Sequence, residues 1–380
     1  MISLAGLARA SARLSLLYWL LLGFVFLADG YFNTRAGIFG EDFRGTIWQA
    51  GRDVLHGRSP YPLPDVTGLA RLGNPAVYPA ATIVAASPFG LIPFTASAIL
   101  WDVAALAALF AALRVVGVLD WRVYAVVFLS FPMAASLELG QLDAPLALGC
   151  ALVWRWRDAR GIRLPVCLGG LLVAKIVLWP LLLWSTVTRW RQAVGTAIAA
   201  VAFAVAGWWV IGFAGFSGYP HLLSSLTYAF GPRGYSLMAL GTRAGLGPET
   251  ARFLPLLGAA TLCALCVYYA RSGREDDAFI AAVGAGIFGS PILWMHYAVI
   301  LLVALAIKRP SFGVVWALPV ALWLAPTENP SSGFDFALGL SLLVLLLAVS
   351  LRPVRPRTLQ RTDAVHAPTA GPFAVERSMR

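Results

Sequence analysis

Four ionisable residues interrupt otherwise apolar stretches of this 380-residue chain: Asp102, Asp143, Lys175 and His296. An ionised side chain at bilayer depth is expensive, so each is a candidate for function or for a buried pair. The chain has only two lysines; Lys308 ends an apolar run, whereas Lys175 lies inside the one from Leu171 to Trp184. An ammonium there either binds an anion or neutralises a carboxylate such as Asp102 or Asp143. His296, in Ser290-Pro291-Ile292-Leu293-Trp294-Met295-His296-Tyr297, falls at the outer end of a helix, as a hydrogen-bond donor or a satisfied interfacial side chain. Asp143 follows Gly140-Gln141 at a turn, so capping the next helix is its simplest role. Asp102 is as easily read as a structural partner.

A second group sits in a long polar loop near the N-terminus: Glu41, Asp42, Arg44, Trp48, Arg52, Asp53, His56, Arg58, Tyr61, Asp65, Arg71 and Tyr78. Long loops of this composition carry function more often than packing. The pattern from Asp42 to Leu55 is that of an amphipathic helix lying along a membrane face, followed by the turn Gly57-Arg58-Ser59-Pro60-Tyr61. Asp42 is either the cap of that helix or a carboxylate free for chemistry, with Glu41 as its neighbour and competitor.

The elements that must position these groups are membrane helices. Of the residues, 59% are hydrophobic and 12% charged, half the charge of a soluble domain, and the apolar stretches recur from end to end. Lys and Arg mark the cytoplasmic ends of spans. They cluster at Arg9 and Arg13, Arg114 and Arg122, Arg155 to Arg163, Arg189 and Arg191, Arg271 and Arg274, Lys308 and Arg309, and from Arg352 onward. The outer loops are then Ala28 to Ala76, Glu138 to Gln141, Ala214 to Thr250, Ser290 to His296 and Pro326 to Phe334. Parity makes Tyr78 to Pro93 a short surface or re-entrant helix and Phe94 to Leu113 a crossing. It also makes Leu164 to Ser185 a pair of half-length helices meeting near Lys175. The expectation is an all-α polytopic protein of about twelve segments, starting with Leu14 to Leu27, both termini cytoplasmic. The membrane domain spans residues 1–351, with an outer loop at 28–93; residues 352–380 form a basic, disordered tail.

Several classes are excluded. The net charge of +11 comes from arginines between apolar runs and in the tail, not from a basic face interleaved with aromatics, so no nucleic-acid partner is expected. Cys150, Cys167, Cys263 and Cys266 all lie in apolar runs, where a small buried hydrophobe is the plain reading, even for the C-x-x-C pair. No Walker, G-x-G-x-x-G or H-E-x-x-H pattern occurs, so no cofactor and no metal site is assigned. A transferase acting outside the cytoplasm would therefore use a lipid-linked donor rather than a sugar nucleotide.

Taken in order, Asp42-Phe43, Trp48-Gln49-Ala50, Leu55-His56-Gly57-Arg58-Ser59-Pro60-Tyr61, Val77-Tyr78-Pro79, Leu100-Trp101, Gly140-Gln141-Leu142-Asp143, Ala174-Lys175 with Pro180, and Ser290-Pro291 with Trp294 and His296 form a set. Their arrangement resembles glycosyltransferase family 87, multi-spanning GT-C fold enzymes that include polyprenol-phosphate-mannose-dependent mannosyltransferases of actinobacteria. The chain departs from that pattern at Ala80, where a second proline commonly stands, and in having one His after the tryptophan where two are common. The resemblance implies an inverting hexosyl transfer, with mannose the family-level choice, from a polyprenyl-phosphate sugar to a lipid or glycan acceptor at the outer face of the cell membrane. It places Asp42 as general base, Lys175 and His296 at the donor phosphate with Arg44 or Arg52 as helpers, and Tyr61, Tyr78, Gln141, Asp143 and Trp294 around the substrate. Membrane lipids are the other partner. The rival readings are a transporter or lipid flippase built on Lys175 and intramembrane carboxylates, and a non-catalytic scaffold of the same fold.

Overall fold

Prolines and charges set where the helices of this chain begin and break. The computed structural model describes residues 39–61 and 75–353. The expected first span, the loop residues Asp65 and Arg71, and nearly all of the tail lie outside them. The first described run is helical in three pieces, Glu41–Phe43, a π-helical stretch Arg44–Gln49 and Ala50–Leu55, together α1. This is the helix expected over Asp42 to Leu55. Then come α2 (Ala80–Ala86), extended by a 3-10 turn at Ser87–Leu91, and α3 (Phe94–Val115). The short helix and the crossing therefore fall as parity required, with Pro79 and Pro93 at their starts.

Next are α4 (Trp121–Phe128) and α5 (Phe131–Leu139), bent by 54° to one another, α6 (Asp143–Arg155) and α7 (Arg163–Ala174). After a 3-10 turn at Ile176–Leu178 comes α8 (Pro180–Val210). The chain continues through α9 (Tyr219–Phe230), α10 (Leu237–Arg243), α11 (Leu254–Arg271), α12 (Glu275–Phe288), α13 (Ala298–Lys308) and α14 (Gly333–Ser350).

The break at Lys175 has a local cause. Pro180 lacks an N–H and its ring crowds the carbonyl four residues back, so α7 cannot run on into α8, and Lys175 takes an extended backbone (φ −148°, ψ 107°). The carbonyl of Ala174 thus released accepts the Thr82 hydroxyl at 3.1 Å, from α2. The second part, from Pro180, ends at half length at Arg189, whose backbone is not helical (φ −149°, ψ 64°) and whose guanidinium pairs with Asp158 at 2.6 Å and with Glu275; beyond this kink the chain is helical again to Val210.

Among the described residues, four helices are long and apolar enough to cross a membrane, or five if the bent α4–α5 pair counts as one. The other expected crossings are shorter, and burial gives the reason. From Asp277 to Phe288 and from Ala298 to Ala306 every residue is buried, so α12 and α13 form the centre of the bundle. Each of them, and α6, has one end at a cavity described below. The apolar outer faces, with Trp190, Ile198 and Trp209 on α8 and Leu256 and Leu257 on α11, are exposed as lipid-facing surfaces are.

The other ends of these helices carry ion pairs. Lys308 binds Asp277 and lies 3.5 Å from Asp276, Arg274 binds Asp277 at 2.6 Å, and Asp120 accepts the Phe312 N–H at 3.0 Å. The clusters around residues 155–163, 189, 274 and 308 thus gather at one end.

At the cavity end, two left-handed glycines bring α1 against the α5–α6 turn. Gly40 (φ 62°) donates its N–H to the Glu138 carbonyl at 2.8 Å, and Gly140 (φ 71°) packs so closely that a Cβ would stand 2.5 Å from Phe43 Cβ. Gly140→Ala is expected to cost about 2–4 kcal/mol, from left-handed strain plus overpacking. Gly57→Ala, equally left-handed (φ 67°) but with no atom within 4 Å of the new Cβ, should cost only about 1 kcal/mol. Thermal unfolding of the two purified variants in detergent measures the difference.

Candidate active site

The cavity at this end encloses about 720 Å³. That suits a substrate-sized ligand. Its walls are α1 and the α5–α6 turn, the Lys175 break, α9, the Ser290–Tyr297 segment and Glu328.

On the first wall Asp42 is held by long-range contacts. Gly40, two residues before it, takes the cap position and no side chain caps the helix, so Asp42 is not a cap. Instead Gln141 Nε2 donates to Asp42 Oδ2, and Tyr78 donates its hydroxyl to Gln141 Oε1 at 3.0 Å. Tyr61 in turn donates to the Tyr78 carbonyl at 2.9 Å and stacks near Trp208 and Tyr219, outside the cavity lining. Thr46 donates to the Asp42 carbonyl at 2.7 Å, within the π-helical stretch, a feature frequent at functional sites. Burial raises the Asp42 carboxyl to about 6; the nearby charges of Glu41 and Glu328 add to this, and those of His296 and Lys175 oppose it. A carboxyl tuned to that value is ionised at neutral pH and still a useful base.

On the second wall Lys175 Nζ lies 3.1 Å from Asp143 Oδ1 and 3.5 Å from the centroid of the Tyr297 ring. Asp143 is therefore not the cap of α6: it is the first helical residue, makes no capping bond, and is wholly buried behind the lysine. Buried opposite charges this close stabilise each other against desolvation. His296, also buried, has Nδ1 3.1 Å from Glu328 Oε1 and Nε2 3.7 Å from Asp143 Oδ2. Trp294 forms part of the adjoining wall, where Gly234 leaves room for its ring.

The structure thus brings Asp42, Tyr78, Gln141, Lys175, Trp294 and His296 to one cavity, with Asp143 and Tyr61 in support. It does not bring Arg44 or Arg52 there. Arg44, two residues from Asp42, faces nearly the opposite way and lies 4.1 Å over the Phe94 ring. Arg52, about 15 Å further along the helix axis, lies 4.9 Å over Trp48. Arg233 is the arginine that lines the cavity, at its α9 end.

Sequence reasoning missed Arg233, Tyr297 and above all Glu328. The available signal was that Glu328 is the one acidic residue of the Pro326 to Phe334 loop, which parity put on the same face as His296. Asp102, on α3, is not among the lining residues, and the four cysteines are free thiols. No group of three or more His, Cys, Asp or Glu with metal-holding geometry occurs among the described residues.

A membrane protein, helical throughout its described residues, whose acid–amide and lysine–histidine groups line one cavity is the class that fold and site define. The chain belongs to glycosyltransferase family 87, whose sequence model matches residues 76–294. It is also similar to the polyprenol-phosphate-mannose-dependent alpha-(1-2)-phosphatidylinositol pentamannoside mannosyltransferase of Mycolicibacterium smegmatis, at 28% identity over 66% of this chain. The match spans about three fifths (61%) of that relative's length. No solved structure matches the chain.

The Lys175–Asp143 pair yields a stability prediction. Lys175→Met or Asp143→Leu alone leaves a buried charge unpaired and should cost about 3–5 kcal/mol, whereas the double variant should recover most of that loss. Denaturant unfolding of the three variants in detergent gives the coupling energy.

Proposed function

We propose that this protein is an integral membrane glycosyltransferase of GT-C type, with residues 1–351 as its membrane domain and residues 352–380 as a cytoplasmic tail. It transfers a hexose, mannose by the relative's precedent, from a polyprenyl-phosphate donor to a lipid or glycan acceptor, with inversion, at the outer face of the cell membrane. The observation that carries this reading is that Asp42, Lys175 and His296 line one cavity.

Charge separation in the reaction matches that arrangement. The acceptor oxygen bonds to the anomeric carbon while its proton passes to the Asp42 carboxylate. The carbon–oxygen bond to phosphate breaks with its electron pair staying on the phosphate, and Lys175 and His296 stabilise the added charge. Tyr78, Gln141 and Trp294 shape the sugar site, Gln141 also aiming Asp42, and Arg233 stands where a further anionic group would meet it.

Depth and access support a lipid-linked donor. The helices α6, α12 and α13 have 13, 14 and 11 residues and so rise about 20, 21 and 17 Å from the ion-paired end. In a hydrocarbon core of about 30 Å, the cavity floor then lies about 10 Å inside the opposite face. Ile176 and Trp179 line the cavity yet are 50% and 51% exposed, so it opens sideways toward lipid.

The test is transfer by purified protein from a panel of polyprenyl-phosphate sugars. Asp42→Asn should lower turnover by at least about 10²-fold while the protein remains folded. Wild-type kcat/KM should hold above pH 6 and decline tenfold per pH unit below it, because the base must be ionised and protonation at about 6 removes it. Absence of transfer from every donor, together with donor-independent lipid movement, would overturn the enzyme reading in favour of a flippase.

A further inference from the structure

Glu328 has no role in the reaction as derived so far, yet both its carboxylate oxygens bond the Met295–His296 turn of the site. It lies in the loop before α14, beyond the family-matched residues 76–294. Its Oε2 accepts the Met295 backbone N–H at 2.7 Å, and its Oε1 accepts the His296 backbone N–H at 3.1 Å and lies 3.1 Å from the ring Nδ1. Met295 and His296 open a 3-10 turn, where backbone N–H groups have no acceptor within the helix. One side chain from a distant loop thus satisfies both of those donors and one ring nitrogen.

The hydrogen-bond inventory then fixes the ring. A carboxylate only accepts, so the proton shared with Glu328 resides on Nδ1. Nε2 is left on the far side, facing Asp143 Oδ2 at 3.7 Å, and neither of those two buried atoms has a hydrogen-bond partner among the described residues. Asp143 Oδ1 in turn holds Lys175. Glu328, His296, Asp143 and Lys175 therefore form one line, anchored at the cavity wall by Glu328 and ending at the ammonium.

We propose that Glu328 is the positioning residue of this site: it locks the tautomer and tilt of His296 against Asp143 and so sets the lysine–histidine wall for the leaving phosphate. This rests on the transferase reading above. Glu328 is not itself the base in this reading, since both its oxygens are already taken by donors of the Met295–His296 turn.

Two measurements test this. In the transfer assay, Glu328→Ala should lower kcat about 10–100-fold with KM changed less than about twofold, the size of effect seen when an orienting partner is lost. Glu328→Gln, near-isosteric and able to keep an acceptor for the turn, should fall between Ala and wild type, and it carries the test if Glu328→Ala does not fold. If Glu328 acts through His296, the double variant His296→Ala/Glu328→Ala should be no slower than His296→Ala alone; multiplying losses would overturn the proposal. In the resting protein, ¹⁵N-histidine NMR should show the His296 ring protonated at Nδ1 in wild type and a mixture of tautomers in Glu328→Ala. Wild-type kcat in both Glu328 variants, or an unchanged ring signal, would refute it. The ring signal needs no donor, so it reads the positioning role even if the wild-type protein transfers no sugar.

Discussion

Lys175 and Asp143 place opposite charges side by side in an apolar bundle, and most of the architecture around the cavity follows from accommodating them. An ammonium at membrane depth is tolerable only if paired and facing a polar space. The helix carrying Lys175 therefore ends there, and Pro180 prevents it from resuming in register. An interrupted helix exposes carbonyls, which lipid cannot solvate, so a neighbour has to supply donors. Thr82 does so, and α2 can come close enough because Gly207 on α8 has no side chain; a Cβ there would stand 2.4 Å from the Ala81 nitrogen. One ion pair thus accounts for a break, the seating of α2 and a glycine contact.

The two ends of the bundle treat charge differently. At the Lys308 end, acidic and basic side chains form a closed network, in which Arg189 pairs with both Asp158 and Glu275 and Asp277 with both Arg274 and Lys308. At the cavity end, Asp42, Lys175, His296 and Glu328 line one space, and the buried Asp143 lies beside both the lysine and the histidine. Charges that line a space are what a charged intermediate can use. The first kind of end holds helices together; the second holds something else.

Much of the scaffold was legible from local chemistry. An apolar run too short for two full crossings between two Arg clusters foretold the break near Lys175, prolines at 79 and 93 bounded the short helix and the crossing, and alternating Arg clusters ordered the ends. The number of spanning helices was not legible in this way. An apolar run reads alike whether it faces lipid or sits inside a bundle, so the fully buried α12 and α13 looked like crossings although they stop short at the cavity.

For the site, sequence determined which residue types were available and that Asp42, Lys175 and His296 were out of place unless used. Tertiary structure decided the partners. Gln141 meets Asp42 across 99 residues and Glu328 meets His296 across 32, and no local periodicity encodes a contact of that span. The same holds for the readings that changed. Asp42 and Asp143 have the type and position of helix caps, but buried polar groups take whatever partner removes the larger desolvation cost, and that partner lay on another helix. Arg44 and Arg52 had the right charge but were turned to aromatic rings by their places on the helix. Chemistry was written along the chain; which groups would face one another depended on how helices of unequal length packed around a pair of buried charges.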